Sequence, residues 1–264
     1  MINTIFMFKL RSLDDLPALE RWYVRYHAVE CLARSGPWIP RYVSYRALPI
    51  MQETVDYGYY DYRVTELWWR SETEIPQFQG KSLALTWLPN QHVMMGEEGV
   101  ESYSTEWVGK PGGPNPPVQV FIPGQPTEDF KGNDVSPDEK TIFRWFTVFK
   151  YPNGVSAKDG EDWFLNVHSK EVLKQPGLTR YFSYRALEIP GVPSQYPWHR
   201  VTELWYENYN AWHKSVIESP PQYTMPPWAN YKKYPFFAPY VDFVSTFILE
   251  RPTDDFKRDW RGYV

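Results

Sequence analysis

Residues 41–48 read Arg-Tyr-Val-Ser-Tyr-Arg-Ala-Leu, and residues 180–187 read Arg-Tyr-Phe-Ser-Tyr-Arg-Ala-Leu. Each stretch is followed by the string Arg-Val-Thr-Glu-Leu-Trp, first at 63–68 and again at 200–205. Two pairs of matching strings, in the same order and at nearly the same separation, are typical of an internal repeat. The sequence therefore predicts a tandem duplication of one structural unit.

The repeat also predicts how the 264-residue chain is divided. The first unit spans 1–112 and the second spans 139–264, and each is long enough to contribute a substantial core. Between them, residues 113–138 are rich in proline and glycine and are predicted to form a linker. Inside that linker, residues 118–122 have the apolar composition of a short extra strand.

Composition and charge limit the classes of partner. The formal net charge is -4 and no basic cluster stands out, which argues against nucleic acid. No apolar run approaches the roughly 20 residues that cross a bilayer, so no membrane partner is expected. The N-terminus lacks the basic start and cleavage site of a signal peptide. With Cys31 as the only cysteine, these features predict a cytoplasmic protein without an internal disulfide.

The aromatic content is unusually high, at 18% of residues with 13 tryptophans and 20 tyrosines. One interpretation is a bulky core with stiff loops. The other is a cavity lined by aromatic rings for a flat organic ligand. The sequence leaves both interpretations open.

Each half shows the order strand, helix, strand, strand, helix, strand. Predicted strands cover 4–9, 40–48, 62–69 and 100–108 in the first half, and 141–149, 179–187, 199–206 and 241–249 in the second. Both halves open with Thr-Ile-Phe, at 4–6 and 141–143. Second helices are predicted at 71–82 and 208–218. The apolar stripes of the first helices are Leu16, Leu19, Trp22 or Tyr23, Tyr26, Val29 and Leu32, and then Trp163 or Phe164, Val167, Val172 and Leu173.

This order predicts an α+β fold made of two ferredoxin-like β-α-β-β-α-β units. Each sheet has one face covered by helices and one open face, and two such units can pair through their open faces. We therefore expect an eight-stranded α+β barrel that closes within one chain. The side chains predicted to face its interior are Ser44, Arg46, Glu66 and Trp68, with Ser183, Arg185, Glu203 and Trp205 from the second unit.

The helix of the second unit reads Asp162-Trp-Phe-Leu-Asn-Val-His168 and is followed by Pro176-Gly-Leu-Thr-Arg-Tyr181. This combination resembles the EthD family of the dimeric α+β barrel superfamily. The first unit keeps a degenerate form, Trp22-Tyr-Val-Arg-Tyr-His27, with Arg25 in the place of Asn166. The resemblance implies the barrel fold but no single reaction, because the superfamily includes cyclases, isomerases, dehydratases, monooxygenases, haem enzymes and proteins of no known activity.

His27 and His168 occupy equivalent places on the first helices, and histidine is well suited to proton transfer near neutral pH. Tyr23 lies four residues before His27, so the two form an i, i+4 pair on one helix face. We therefore predict His27, His168 and Tyr23 as catalytic residues. The alternative is that each histidine only joins its helix to the sheet.

Six strand residues are predicted to bind substrate: Arg46, Glu66, Trp68, Arg185, Glu203 and Trp205. An arginine in the barrel would bind an anion, and a buried carboxylate would act as a base. The alternative is that Arg46 pairs with Glu66, and Arg185 with Glu203, as buried ion pairs across the sheet.

The leading functional hypothesis is a cofactor-independent lyase or isomerase that acts on a small aromatic or polyketide-like molecule. No recognisable metal-binding motif occurs in the sequence. The resemblance keeps a second hypothesis open, a haem-dependent dehydratase or oxidoreductase with His168 or His213 as the axial ligand. A third is a small-molecule-binding protein without catalysis. Assembly as a homodimer also stays open.

Overall fold

The computed structural model describes residues 1–10, 13–49, 53–76, 118–132, 142–192 and 197–257. These residues form two antiparallel sheets of five strands each. The first five strands are β1 (Ile2–Phe8), β2 (Arg41–Arg46), β3 (Arg63–Trp69), β4 (Val118–Pro123) and β5 (Glu128–Lys131). The second five are β6 (Phe143–Phe149), β7 (Leu178–Arg185), β8 (Arg200–Tyr206), β9 (Phe243–Leu249) and β10 (Asp254–Asp255).

The two sheets have the same strand order. The first runs β10-β2-β3-β1-β4 and the second runs β5-β7-β8-β6-β9. Without its outer strand β10 or β5, each sheet has the order 2-3-1-4 of a ferredoxin-like unit. The predicted fold class, two such units in an α+β arrangement, is confirmed.

Each unit lends a short strand to the other. Strand β5 follows β4 of the first unit but pairs with β7 of the second, and β10 follows β9 of the second unit but pairs with β2 of the first. The junctions are equivalent: the Leu48 amide donates to the Phe247 carbonyl at 2.7 Å, and the Leu187 amide donates to the Phe121 carbonyl at 2.7 Å. The two sheets therefore join into one ring of strands through β4–β5 and β9–β10.

The segment predicted as a linker supplies two of these strands. Residues 118–122 form the predicted extra strand, and it occupies the fourth position of the first sheet, antiparallel to β1. The strand predicted at 100–108 lies outside the described residues, as does the predicted helix over 71–82 beyond residue 76. The shared Thr-Ile-Phe strings are not equivalent, because Thr4 lies opposite Leu67 whereas the matching Leu204 lies opposite Trp145.

Each first helix contains a π-helical turn that shifts its buried face. In the first unit, α1 (Leu16–Trp22) and α2 (Ala28–Ser35) are joined by the π-helical turn Tyr23–His27. A π-helical turn holds one more residue than an α-helical turn, so the apolar stripe moves by one position beyond it. Tyr26 and Val29, predicted to be buried, are each 47% exposed, and Ala28 and Cys31 are buried instead.

The second unit repeats this interruption. Helix α3 (Ala157–Trp163) begins at the N-cap Ser156, whose side chain accepts from the Asp159 amide, and leads through the π-helical turn Phe164–His168 into α4 (Ser169–Val172). The predicted second helix forms as α5 (Tyr209–His213) with the π-helical turn Lys214–Glu218. Among the described residues, no helix combines the length and apolarity needed to cross a bilayer.

An apolar core from both units fills the space between the sheets. It is built from Ile5, Met7, Val43, Tyr45, Val64, Val120, Phe146, Val148, Val201, Val244 and Ile248, among others. The predicted facing of Ser44 and Arg46 is wrong. Directly opposed residues of paired strands share a face, and the register sets Val43 opposite Glu66 and Ser44 opposite Thr65. Val43 and Tyr45 therefore point between the sheets, while Ser44 and Arg46 face the helices.

Candidate functional site

The first candidate site lies on the first helix of the first unit. The π-helical turn places the His27 ring against Trp22 and Tyr23, with ring centroids 4.5 and 5.5 Å away. Its Nε2 atom lies 3.6 Å from the Cys31 thiol. Burial lowers the pKa of His27 to about 4, against the opposing charge of Glu30. At neutral pH the imidazole is therefore uncharged and able to accept a proton.

Tyr23 is bonded to the sheet rather than to the histidine. Its hydroxyl lies 2.5 Å from Thr65 Oγ1 and 3.3 Å from the Tyr42 hydroxyl. The Arg63 guanidinium stands 4.5 Å from the centre of the Tyr23 ring. The predicted phenol–imidazole couple is therefore a ring contact, and the Tyr23 hydroxyl anchors the helix to β3.

Two buried hydrogen-bond donors, on Trp22 and Tyr62, lie beside Tyr23. Trp22 Nε1 and the Tyr62 hydroxyl have no hydrogen-bond partner among the described residues. Both side chains belong to the same apolar cluster as Tyr23, together with Leu10 and Leu19. Burial raises the pKa of Tyr62, so its phenol keeps its proton. Leaving such a donor unpaired costs about 1–3 kcal/mol, and a ligand oxygen is one way to satisfy it.

The equivalent helix of the second unit is covered. Trp163 Nε1 donates to the Thr224 carbonyl at 3.2 Å. The His168 ring packs against Trp163 at 4.7 Å and stacks on Tyr234 at 5.7 Å, leaving the residue 8% exposed. Burial lowers the pKa of His168 to about 3. Thr224 and Tyr234 come from the proline-rich stretch after α5, which closes this helix face.

The position that Tyr62 occupies is also satisfied in the second unit. His199 stands directly before β8, as Tyr62 stands directly before β3. Its Nδ1 atom accepts a hydrogen bond from the Tyr151 amide at 2.8 Å. The three equivalent side chains of the second unit thus each have a hydrogen-bond or stacking partner. In the described part of the first unit, Trp22 Nε1 beside His27 and the Tyr62 hydroxyl beside Tyr23 have no hydrogen-bond partner.

A second candidate site is a cavity of about 280 Å³ between the two sheets. It contains four of the residues predicted to bind substrate: Glu66, Trp68, Glu203 and Trp205. Glu66 accepts from Asn3 Nδ2 at 3.3 Å and from Trp68 Nε1 at 3.1 Å. Burial raises the pKa of Glu66, the charge of Arg144 opposes this shift, and the charge of Glu203 adds to it.

Arg144 forms the central ion pair of that cavity. It lies 2.6 Å from a Glu203 oxygen, and its guanidinium stands 4.9 Å from the Tyr45 ring centre. Sequence reasoning missed this residue, although a single arginine inside the apolar strand Phe143–Phe149 is a visible signal. It also missed Arg180, which lines the same cavity and belongs to the Arg-Tyr pair that opens the repeated stretch.

Arg46 and Arg185 lie on the helix-facing side of their sheets, away from this cavity. Arg46 pairs with Glu20 of α1, and Arg185 pairs with Glu161 of α3 at 2.8 Å. The predicted ion pairs of Arg46 with Glu66 and of Arg185 with Glu203 are therefore wrong. The reason is that Arg46 and Glu66 lie on opposite faces of the first sheet, and Arg185 and Glu203 lie on opposite faces of the second.

Two fully buried arginines complete these networks. Arg63 pairs with Glu20 at 2.8 Å and with Asp254 at 2.6 Å. Arg200 pairs in the same way with Glu161 and Glu128, each at 2.5 Å. Asp254 and Glu128 come from the exchanged strands. The signal for them is a third pair of matching strings that sequence reasoning missed, Pro-Thr-Glu-Asp-Phe-Lys at 126–131 and Pro-Thr-Asp-Asp-Phe-Lys at 252–257.

A larger cavity of about 690 Å³ borders the loop between β7 and β8. Its polar lining includes Arg185, Glu161 and His199, and its apolar lining includes Phe121 and Trp198. Among the predicted substrate-binding residues, this places Arg185 at a cavity wall. Arg46 is held instead at the ion pair with Glu20.

His168 and His213, the two histidines named for the haem that the resemblance left open, do not fit it, because neither borders one of the two cavities. His168 is also enclosed by aromatic rings. His199 borders the larger cavity, but its Nδ1 accepts a hydrogen bond, so its proton lies on Nε2 and no lone pair is left for iron. Within the described ranges, no group of three or more His, Cys, Asp or Glu residues is arranged to hold a metal ion.

Comparison with known families gives one match. Residues 1–99 match the family described as the chalcone isomerase N-terminal domain. The match is thus to this family and not to the EthD family of the sequence resemblance. The comparison with curated proteins finds no similar protein.

Several solved structures align with this chain. An anthrone oxidase-like protein aligns over 96% of this chain and 91% of its own, at 9% identity and a TM-score of 0.47. A mutant chlorite dismutase from Candidatus Nitrospira defluvii aligns over 98% and 94%, at 9% identity and 0.45. An EthD family protein from Bacillus halodurans C-125 aligns over 29% and 73%, at 16% identity and 0.26.

Proposed function

We propose that the chain is a cofactor-independent isomerase or lyase that moves a proton on a small aromatic carbonyl compound, with His27 as its acid–base group. The observation that carries this proposal is the contrast between the two helix faces. His168 is buried under Tyr234, whereas His27 is partly exposed and stands beside Trp22 Nε1, a donor without a partner among the described residues. A reactive histidine needs access and a neutral ring, and His27 has both.

The chemistry follows from the groups at hand. The neutral His27 imidazole removes a proton from the carbon next to a carbonyl group. Negative charge then develops on the carbonyl oxygen, and a hydrogen bond from Trp22 Nε1 or the Tyr62 hydroxyl stabilises it. The imidazolium returns the proton to another atom of the substrate in an isomerisation, or to the departing group in an elimination. No electron acceptor is consumed in either case.

The matched family supports the same class. Its description names an isomerase of chalcones, which are aromatic ketones, and the matched residues 1–99 contain Trp22, His27 and Tyr62. Tyr23 acts in this proposal as a positioning residue, because its hydroxyl fixes the helix to Thr65 at 2.5 Å. It holds the His27 ring in place by contact at 5.5 Å.

The test is the interconversion of flavanones, which carry a CH2 group next to the carbonyl, and hydroxychalcones, followed by the enone absorption and by chromatography of the product. We expect His27→Gln to lower kcat by about 10²–10⁴-fold, the usual worth of a general acid–base group. The matched control is His168→Gln, at the equivalent place of the covered helix, which should keep kcat within about twofold. Full activity in His27→Gln, or equal losses in both variants, contradicts the proposal.

A further inference from the structure

The cavity between the sheets is built from matched residues of both units. Its walls contain four pairs that occupy equivalent strand positions: Arg41 and Arg180, Tyr45 and Tyr184, Glu66 and Glu203, and Trp68 and Trp205. Each tryptophan donates through Nε1 to the glutamate two residues before it, at 3.1 Å in both units. The indole rings are thereby held as fixed walls on two sides of the cavity.

Among the described residues, the cavity lining forms only one ion pair, between Arg144 and Glu203 at 2.6 Å. Glu66 accepts hydrogen bonds from the neutral donors Asn3 and Trp68. Burial raises the pKa of Glu66, and the charges of Arg144 and Arg41 lower it. Arg41 and Arg180 are additional cations of the lining, and among the described residues neither guanidinium forms an ion pair. The one remaining acidic group of the lining, Glu250, is exposed.

Arg180 offers an unused donor in a fixed position. Its guanidinium stacks 4.5 Å from the Phe182 ring centre and 4.8 Å from that of Trp205. Its Nε atom is buried and has no hydrogen-bond partner within the described part of the chain. An arginine that is held by rings while a donor stays unpaired is preorganised for a carboxylate, whose two oxygens match the guanidinium fork.

We propose that this cavity is a ligand site for a small planar organic carboxylate, separate from the His27 face and drawn from both units. The carboxylate would bind Arg180, with Arg41 on the opposite side, and the planar body would lie along the indole rings of Trp68 and Trp205. A volume of about 280 Å³ suits a ligand of about one aromatic ring. This inference does not depend on the reaction proposed for His27.

The test is calorimetric titration of the full chain with benzoate, with benzamide as a neutral ligand of the same shape. We expect benzoate to bind and benzamide to bind at least roughly tenfold more weakly, because the guanidinium recognises the charge. Arg180→Gln and Arg180→Lys should each weaken benzoate binding by roughly tenfold or more. Arg41→Gln, a change at an exposed residue that fold stability tolerates, should weaken it less.

Arg70→Gln provides the matched control, since Arg70 is an exposed arginine directly after β3 that donates to the Pro37 carbonyl at 2.6 Å. It should leave benzoate binding unchanged. Glu66→Gln should strengthen benzoate binding at pH 8, because it removes a nearby negative charge without changing the shape. Equal binding of benzamide, unchanged binding in both the Arg180 and Arg41 variants, or no benzoate binding at millimolar concentration each overturns the proposal.

Discussion

The first helices of the two units have equivalent tryptophan and histidine side chains, but these side chains are covered to different extents. In both, a tryptophan ring lies 4.5–4.7 Å from the histidine that ends the π-helical turn. In the second unit that histidine is stacked under Tyr234 and the indole is bonded to Thr224. In the first unit the indole donor is unpaired among the described residues. The equivalent histidine is thus covered in the second unit and partly exposed in the first.

The scaffold beneath these helices shows no such difference. Arg63 and Arg200 have fully buried side chains, and each joins its own helix to a strand lent by the other unit. The two units therefore share the buried ion networks and the exchanged strands. They differ in the residues that cover the histidine.

The largest loss of stability is expected on replacing the buried arginines that both units share, Arg63 and Arg200. Arg63→Met and Arg200→Met should each lower the free energy of unfolding by about 3–5 kcal/mol. Arg63→Met leaves Asp254 without its cation and Glu20 with only the exposed Arg46. Arg200→Met leaves Glu128 without its cation and Glu161 with only the exposed Arg185. Urea denaturation measures this. Arg70→Met is the control, since that arginine is 59% exposed and its pair with Glu74 is 4.0 Å long, so about 1 kcal/mol or less is expected. A large loss in only one of the two buried variants would contradict a shared scaffold.

A second prediction uses the covered histidine as a pH probe. Burial lowers the pKa of His168 to about 3, whereas an unfolded histidine has a pKa of about 6.5. Below pH 6.5 the unfolded chain takes up a proton that the folded chain excludes, so stability present above pH 6.5 is lost as the pH falls toward 3. At about 1.4 kcal/mol per pH unit, the change from pH 6.5 to pH 5 is about 2 kcal/mol.

His168→Gln should reduce that slope, because glutamine has no proton to gain in this range. The measurement is the urea denaturation midpoint of both proteins at pH 7.5, 6.5 and 5. The cost of the substitution itself is the same at each pH and cancels in the comparison. An unchanged slope in His168→Gln would show that the imidazole is not held neutral by burial.

The sequence predicts the architecture better than the facing of its side chains. Alternation and repeated strings locate β2, β3, β7 and β8, and Asn208 caps a helix at its predicted start. Alternation alone cannot say which set faces the helices, and the register with β3 decides that for Ser44 and Arg46. The predicted burial of Tyr26 and Val29 is wrong because a period of 3.6 residues per turn does not account for the extra residue of a π-helical turn.

Some residues of the candidate sites could also be predicted from the sequence, and others could not. Glu66, Trp68, Glu203 and Trp205 were found because charged and aromatic residues stand out in an alternating strand, and they meet in one cavity. Arg63 and Arg200 were passed over as the first residues of a repeated string. Their partners Asp254 and Glu128 come from the opposite unit. In the sequence, the matching strings at 126–131 and 252–257 are the signal of that strand exchange.

The smallest effect is the most discriminating, because it should differ in sign between the units. Trp163→Phe removes the bond to the Thr224 carbonyl and should lower the free energy of unfolding by about 1 kcal/mol. Trp22→Phe removes a donor without a partner in the described structure, so stability should stay equal or rise slightly. If that donor serves a developing oxyanion, Trp22→Phe should also lower kcat by about 10²-fold or more while Trp163→Phe leaves it unchanged. A loss of stability in Trp22→Phe as large as that in Trp163→Phe would mean that both indoles are structural, and the comparison on which His27 is assigned would no longer hold.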